Sequence, residues 1–321
     1  MASEDFAILR ELFRDSTLWT GNVDPHAPRT DLAHRVGVVR STVWTRLRKL
    51  ERAGVLGGYF VMPNPGLFEH LMGPGRVRVD QSNAKLAFLE NLPRLPGVVG
   101  ALDYVGPWVQ VNVVGPTPAS FKRWRTLFES APGVEDVIGF EPYLIPTCSA
   151  APSLLDWRLI ETLTREDRPT LDGASRELRL ANRTLSRHHD RLVKGHAFWY
   201  VPSIDYASLV GTAFGFFNVF LTAGELRSAI IHQISEAFPD YIELSDDSRF
   251  SVPDQGRRQD LYAVIPFGSP GRAEDAQRRI LAFDGVREVE LLFPRRTHCY
   301  FNWFHEQTLI EIKRRRSRSL P

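Results

Sequence analysis

The sequence predicts an α+β protein in which a helical segment and a βαββαβ segment alternate twice. Three observations lead there. Pieces of sequence recur in the same order in the two halves of the 321-residue chain. The front of each half carries apolar residues at three- and four-residue steps, the period of one helix face. The back of each half switches to strict alternation, the period of a half-buried strand.

The repeat comes first because it governs the whole architecture. Asp5-Phe6-Ala7-Ile8-Leu9-Arg10-Glu11-Leu12 is similar to Asp156-Trp157-Arg158-Leu159-Ile160-Glu161-Thr162-Leu163. Val36, Val38, Thr42, Val43 and Leu50 match Leu178, Leu180, Thr184, Leu185 and Leu192 at one common spacing. Gly133-Val134-Glu135-Asp136-Val137 matches Gly285-Val286-Arg287-Glu288-Val289. The divide falls near Ile145 to Pro152, where Pro, Ser, Ala and Thr suit a linker. The expected units are 1–66, 72–146, 153–205 and 210–321.

Composition bounds the function. With 43% hydrophobic and 24% charged residues, a wholly disordered chain is excluded. Two cysteines, Cys148 and Cys299, exclude a disulfide scaffold or a four-cysteine zinc site within one chain. The net charge of +2 demands no anionic partner, so any such argument rests on where the charges sit. The acidic start, Met1-Ala2-Ser3-Glu4-Asp5, does not read as a secretory signal. The longest uncharged stretch, Ala207–Gly224, contains Gly211, Gly215 and Asn218 and reads as a buried strand rather than a membrane span. A soluble, cytoplasmic protein is expected. No Gly-rich phosphate loop, Gly-x-Ser-x-Gly elbow or two-histidine metal helix occurs. His188 and His189 are adjacent and point about 100° apart on a helix. No catalytic residue, metal or cofactor is therefore assigned.

The first half opens on a helix with Phe6, Leu9, Leu12 and Phe13 on one face. Thr30 is placed to cap a helix over Asp31–Val36, and Gly37 supplies a turn. A second helix runs from Arg40-Ser41 to about Ala53, with Gly54 as its stop. Gly57-Gly58-Tyr59-Phe60-Val61 reads as a tight turn and a strand, a wing. This is the helix-turn-helix arrangement, with the second helix positioned for a major groove. Val43, Leu47 and Leu50 take its core face. Arg40, Ser41, Thr42, Thr45, Arg46 and Lys49 are candidate DNA contacts: hydroxyls suit phosphates, and arginines suit phosphates or guanine edges. A solvated basic face on a structural helix is the plain alternative. The second copy spans Thr170–Tyr200, with its helix over Asn182–Lys194. Arg183, Arg187 and Arg191 recur at four-residue steps, with Arg179 just before them. Arg179, Asn182, Arg183 and Arg187 are its candidate DNA contacts. Arg179 stands where Gly37 stood, and His188-His189 stand where Arg46-Leu47 stood, so a less regular core is expected.

Behind each helical segment the pattern reads βαββαβ, the ferredoxin-like arrangement. The first copy is strand 76–80, helix 83–92, strands 98–105 and 108–114, helix 118–130, strand 134–140. The second is strand 213–221, helix 225–237, strands 241–245 and 261–266, helix 272–283, strand 286–293. Asp246–Asp260 is expected as a mobile hairpin loop. A helix over Phe304–Ile312 and a solvated basic tail, Lys313-Arg314-Arg315-Arg316-Ser317-Arg318, close the chain. Next to two helix-turn-helix units, that tail could track a DNA backbone.

Thr30-Asp31-Leu32-Ala33-His34-Arg35-Val36-Gly37-Val38, then Ser41-Thr42-Val43, Arg46-Leu47, Leu50-Glu51 and Gly54-Val55-Leu56-Gly57-Gly58-Tyr59, resemble the Lrp/AsnC (leucine-responsive and asparagine regulator) family. The resemblance covers nearly the whole chain as two family units in tandem. It implies a transcriptional regulator that binds double-stranded DNA, dimerises through its βαββαβ modules and responds to a small-molecule effector there. Because the two heads differ and cannot read a perfect palindrome equally well, a homodimer of tandem chains is expected, with no membrane partner. The sequence departs from the family at the turn between the middle strands, Asp103-Tyr104-Val105-Gly106-Pro107-Trp108. Gly106 matches the family's glycine, but the aspartate after it is missing. The siroheme decarboxylases, which also pair two such units, are the enzyme alternative. His298-Cys299-Tyr300-Phe301-Asn302-Trp303-Phe304 is similar to an aromatic–histidine stretch of that family, but it lies after the last strand rather than near the middle ones. The reading favours a regulator that is not an enzyme.

Overall fold

The computed structural model describes residues 3–15, 29–80, 82–142, 145–165, 170–245 and 261–318. The chain begins with α1 (Ser3–Asp15), α2 (Arg29–Val36) and α3 (Arg40–Arg52). Ile8, Leu9, Leu12, Val43, Leu47 and Leu50 are all buried, so the periodic stripes on α1 and α3 meet as one core. Thr30 lies inside α2 rather than ahead of it, so it is not the cap. Gly37 turns the chain at φ +75°, a conformation that glycine alone adopts at little cost.

The next strand, β1 (Leu56–Pro63), falls where the wing strand is expected. It forms no hairpin with its own head. It pairs antiparallel with a strand of the second half, β6 (Phe198–Ile204), in a separate two-stranded ribbon. The register of this ribbon is nearly symmetric. By the spacing that relates Val43 to Leu185, Tyr59 corresponds to Val201 and Phe60 to Pro202. In the ribbon Tyr59 faces Pro202 and Phe60 faces Val201. A local twofold therefore passes between these two pairs.

The first βαββαβ module comprises β2 (Leu71–Val79), α4 (Ser82–Asn91), β3 (Val98–Tyr104), β4 (Trp108–Gly115), α5 (Pro118–Glu129) and β5 (Val134–Gly139). Val109, Val111 and Val113 on β4 are fully buried while Gln110 and Asn112 are half-buried, as the alternation requires. The second module comprises β7 (Ala213–Leu221), α9 (Arg227–Ala237), β8 (Glu243–Ser245), β9 (Leu261–Phe267), α10 (Pro270–Leu281) and β10 (Val286–Leu292). Its strand order is β10-β7-β9-β8, matched in the first module by β5-β2-β4-β3. The 246–260 insertion lies outside the described residues. Ala207–Gly224 holds β7, and among the described residues no helix is long and apolar enough to cross a membrane.

Between the modules lies the second head: α6 (Leu154–Thr164), α7 (Leu171–Leu178), α8 (Asn182–Lys194) and then β6. Ser153 and Asp156 form a reciprocal capping box at the start of α6, and Thr170 caps α7 through Gly173 N at 2.9 Å. The linker before it forms neither helix nor strand but is tied down. The Asn64 amide donates to Pro146 O at 3.0 Å and His196 O at 2.7 Å, and the Ser149 and Ala150 amides donate to Gly195 O.

Two elements cross between the halves. A strand that the sequence pattern missed, β11 (Pro294–Cys299), leaves the second module and adds to the edge of the first, against β3. The helix after it, α11 (Asn302–Arg318), packs on α6 and continues through the basic run, which is helical rather than a loose tail. Each head also packs on the opposite module. Ile8 and Leu47 share a core with Phe214, Phe216, Ile242 and Val264 of the second module. Trp199 and Val201 of β6 share one with Met72, Val99 and Val114 of the first. The modules meet where Arg76 on β2 pairs with Glu290 on β10 at 2.5 Å, under the Trp108 ring, while the Asn218 amide donates to the same carboxylate at 2.7 Å.

Candidate nucleic-acid interface

The second helix of the first helix-turn-helix, α3, starts at Arg40, after Val39 in extended conformation and with no side-chain cap. Of its first amides, those of Thr42 and Val43 donate to Val39 O at 2.9 and 3.3 Å. Arg40, Ser41, Thr45 and Lys49 are exposed and Thr42 is half-buried, so the expected contact face is on the surface. Trp44 was not among the expected contacts. It is 39% exposed, beneath the Arg48 guanidinium at 4.6 Å. An aromatic residue off the apolar stripe was the available signal.

Arg46 is already engaged. It and Lys49 each lie 3.5 Å from the carboxylate of Asp5, which is fully buried on α1. The second head repeats the device. Asp156, fully buried at the corresponding place on α6, takes His188 at 2.6 Å and also Arg191. The common spacing places His188 opposite Arg46 and Arg191 opposite Lys49. In both heads a buried aspartate of the first helix therefore clamps two side chains one turn apart on the reading helix. Burial pushes the Asp156 carboxyl up, but hydrogen bonds from Ser153 and His188 and the Arg191 charge outweigh this and hold it below the usual carboxylate range.

The second core is as complete as the first, contrary to expectation. Arg179 adopts the left-handed conformation at φ +55° and keeps the turn that Gly37 makes in the first copy. His189 takes the place of Leu47: it is buried, packs between the Phe198 and Tyr200 rings, and its Nε2 meets Tyr200 Oη at 2.8 Å. Arg183 and Arg187 are exposed on α8, while the Asn182 amide is held by Asp172. Arg191, part of the expected stripe, is turned back to Asp156. The structure thus brings Arg179, Arg183 and Arg187 onto an open surface and draws Arg46 partly away from one.

These features define a winged helix-turn-helix domain at the N-terminus of an α+β chain. Residues 5–56 match a family described as winged helix-turn-helix DNA-binding. Among solved structures, siroheme decarboxylase NirDL is similar in fold at 16% identity and a TM-score of 0.51, covering 98% of this chain and 99% of that one. NirDL in complex with an iron-uroporphyrin III analogue matches at the same identity and TM-score, over 90% and 92%. An AsnC family transcriptional regulator from Agrobacterium tumefaciens matches at 22% identity and a TM-score of 0.30, over 43% of this chain and 86% of that one. No curated protein sequence matches. The exclusion of enzymatic activity drawn from the sequence does not stand: the fold that spans nearly this whole chain is also that of an enzyme.

Proposed function

We propose that the chain is a DNA-binding transcriptional regulator of the Lrp/AsnC type, built as two tandem units that supply both reading heads. The observation that carries this is the pair of heads joined through the near-symmetric β1–β6 ribbon, each with an exposed cationic face. Heads related by a twofold match two half-sites on one duplex. In this reading Arg40, Ser41, Thr42, Thr45 and Lys49 serve the first head, with Arg46 shared between DNA and Asp5. Arg179, Asn182, Arg183 and Arg187 serve the second. Fluorescence anisotropy with a duplex oligonucleotide across a salt series tests it. Each phosphate contact adds about 0.9 to the log–log salt slope, so removing Arg183 and Arg187 lowers the slope by nearly 2. Absence of salt-dependent duplex binding by the intact protein sinks the proposal.

The whole-chain similarity to NirDL favours a second reading, a decarboxylase acting on a tetrapyrrole. Incubation with siroheme, followed by mass spectrometry for loss of carbon dioxide, tests that reading directly.

A further inference from the structure

The flank of α3 that Asp5 does not hold carries a ridge without a counterpart in the second head. Arg40, Trp44 and Arg48 follow one another at four-residue steps, which lines them up along one side of the helix. All three are exposed. Among the described residues neither arginine pairs with a carboxylate, and the Arg48 guanidinium lies over the Trp44 ring at 4.6 Å. A guanidinium stacked on a ring keeps its in-plane N–H groups for a phosphate. The open part of the ring lies off the buried stripe of Val43, Leu47 and Leu50, so the core of the head does not use it.

The repeat supplies its own control. By the spacing that relates Val43 to Leu185, the same three positions in the second head are Asn182, Ser186 and Asp190. Asn182 is held by Asp172, and the Asp190 side chain is exposed. Both sets stand on the same helix-turn-helix scaffold, so the fold itself does not require arginine, tryptophan and arginine there. The ridge fits a ligand instead. Cations on either side of an apolar ring, with the exposed Ser41 and Thr45 hydroxyls between them, complement a groove rimmed by phosphates. On the floor of a major groove, the base edges present hydrogen-bond donors and acceptors. The 5-methyl group of thymine is the exception, and it takes apolar contact.

We propose that the first head reads thymine through its 5-methyl group, with Trp44 as the residue that recognises it and Arg40 and Arg48 seating the ring by their grip on phosphates. The second head, with Ser186 in that place and a carboxylate beside it, has no such preference. This rests on the regulator reading and names the base that the first head selects.

A random-core duplex library, selected by the full chain and amplified, supplies the probe. The enriched duplex is made once with thymidine and once with deoxyuridine, which lacks only the 5-methyl group. Anisotropy titrations of the wild-type chain are expected to show binding weakened about fourfold for each contacted methyl removed, which is what burying a group of that size contributes. Trp44→Ser, the residue that the second head carries, is expected to bind both duplexes equally and to keep the wild-type salt slope, because it removes no charge. Equal affinity of the wild-type chain for the two duplexes overturns the proposal, as does a selection that enriches no sequence. A gap that persists undiminished in folded Trp44→Ser overturns it as well. The wild-type comparison needs no variant, so it decides even if Trp44→Ser fails to fold. Salt-dependent duplex binding that ignores the methyl group removes thymine reading and leaves the regulator reading in place; no duplex binding by the intact chain removes both.

Discussion

At the residue scale, the two buried aspartates do the most. Asp156 is fully buried and held by Ser153, His188 and Arg191, so removing its charge weakens hydrogen bonds to partners that themselves reach solvent. Losing a hydrogen bond to a charged group costs about 1.5–3 kcal/mol. Asp156→Asn is therefore expected to destabilise the chain by about that much in urea unfolding at pH 7. The sign of its pH dependence follows from the lowered folded-state pKa. Its contribution is present above the unfolded value of about 3.9 and is lost as pH falls through the folded one. Stability curves of wild type and Asp156→Asn should converge in strong acid; parallel curves down to that range would remove the carboxylate from the account. The mutual placement of these residues was only partly legible. Asp5 and Asp156 stood out as matched in the repeat, but nothing in a linear pattern says that Arg46 and Arg191 fold back onto them.

At the element scale, the turn before each reading helix shows how one geometry is reached from two residues. Gly37 and Arg179 share the left-handed region, at φ +75° and +55°. A side chain there costs about 1–2 kcal/mol that glycine avoids. Arg179→Gly is expected to stabilise the second head by about 1 kcal/mol, and Gly37→Ala to destabilise the first by a similar amount. Denaturant midpoints decide this, and a loss of stability in Arg179→Gly would show that the arginine makes a contact worth more than the strain. The sequence pattern placed α3, α8 and most strands within a few residues because amphipathic periodicity is a local property. It missed β11, whose Arg295, Arg296, Thr297 and His298 lack alternation. That strand is specified by the open edge of a distant sheet, not by its own residues.

At the scale of the whole molecule, the modules are locked by Arg76 and Glu290 across their facing sheets. Arg76 is nearly fully buried, so Glu290→Gln leaves an uncompensated charge and should cost about 3–5 kcal/mol, whereas Arg76→Met with Glu290→Leu should cost far less. A double variant as unstable as the single one would mean that the pair is needed beyond its charge. Oligomeric state is the second prediction at this scale. The two heads differ: one has hydroxyls and arginine behind a glycine turn, the other an arginine surface behind Arg179. Unlike heads cannot read a perfect palindrome equally well, so we propose that two chains pair, each giving its first head. Light scattering at micromolar concentration should find twice the 36.5 kDa chain mass; a single-chain mass with and without DNA would mean that one chain acts alone.

What the sequence determined by itself is local and periodic: the identity and order of the helices, the βαββαβ signature in each half, and the cationic faces of α3 and α8. These follow from side-chain spacing and from turn residues acting within a dozen positions. Tertiary structure alone decided which half supports which. The ribbon joins β1 to β6, β11 crosses to β3, and each head rests on the opposite module. An apolar stripe or an unpaired strand edge specifies that it must be covered, not by what. With two similar units in one chain, either partner satisfies the pattern, and only packing in three dimensions chooses between them.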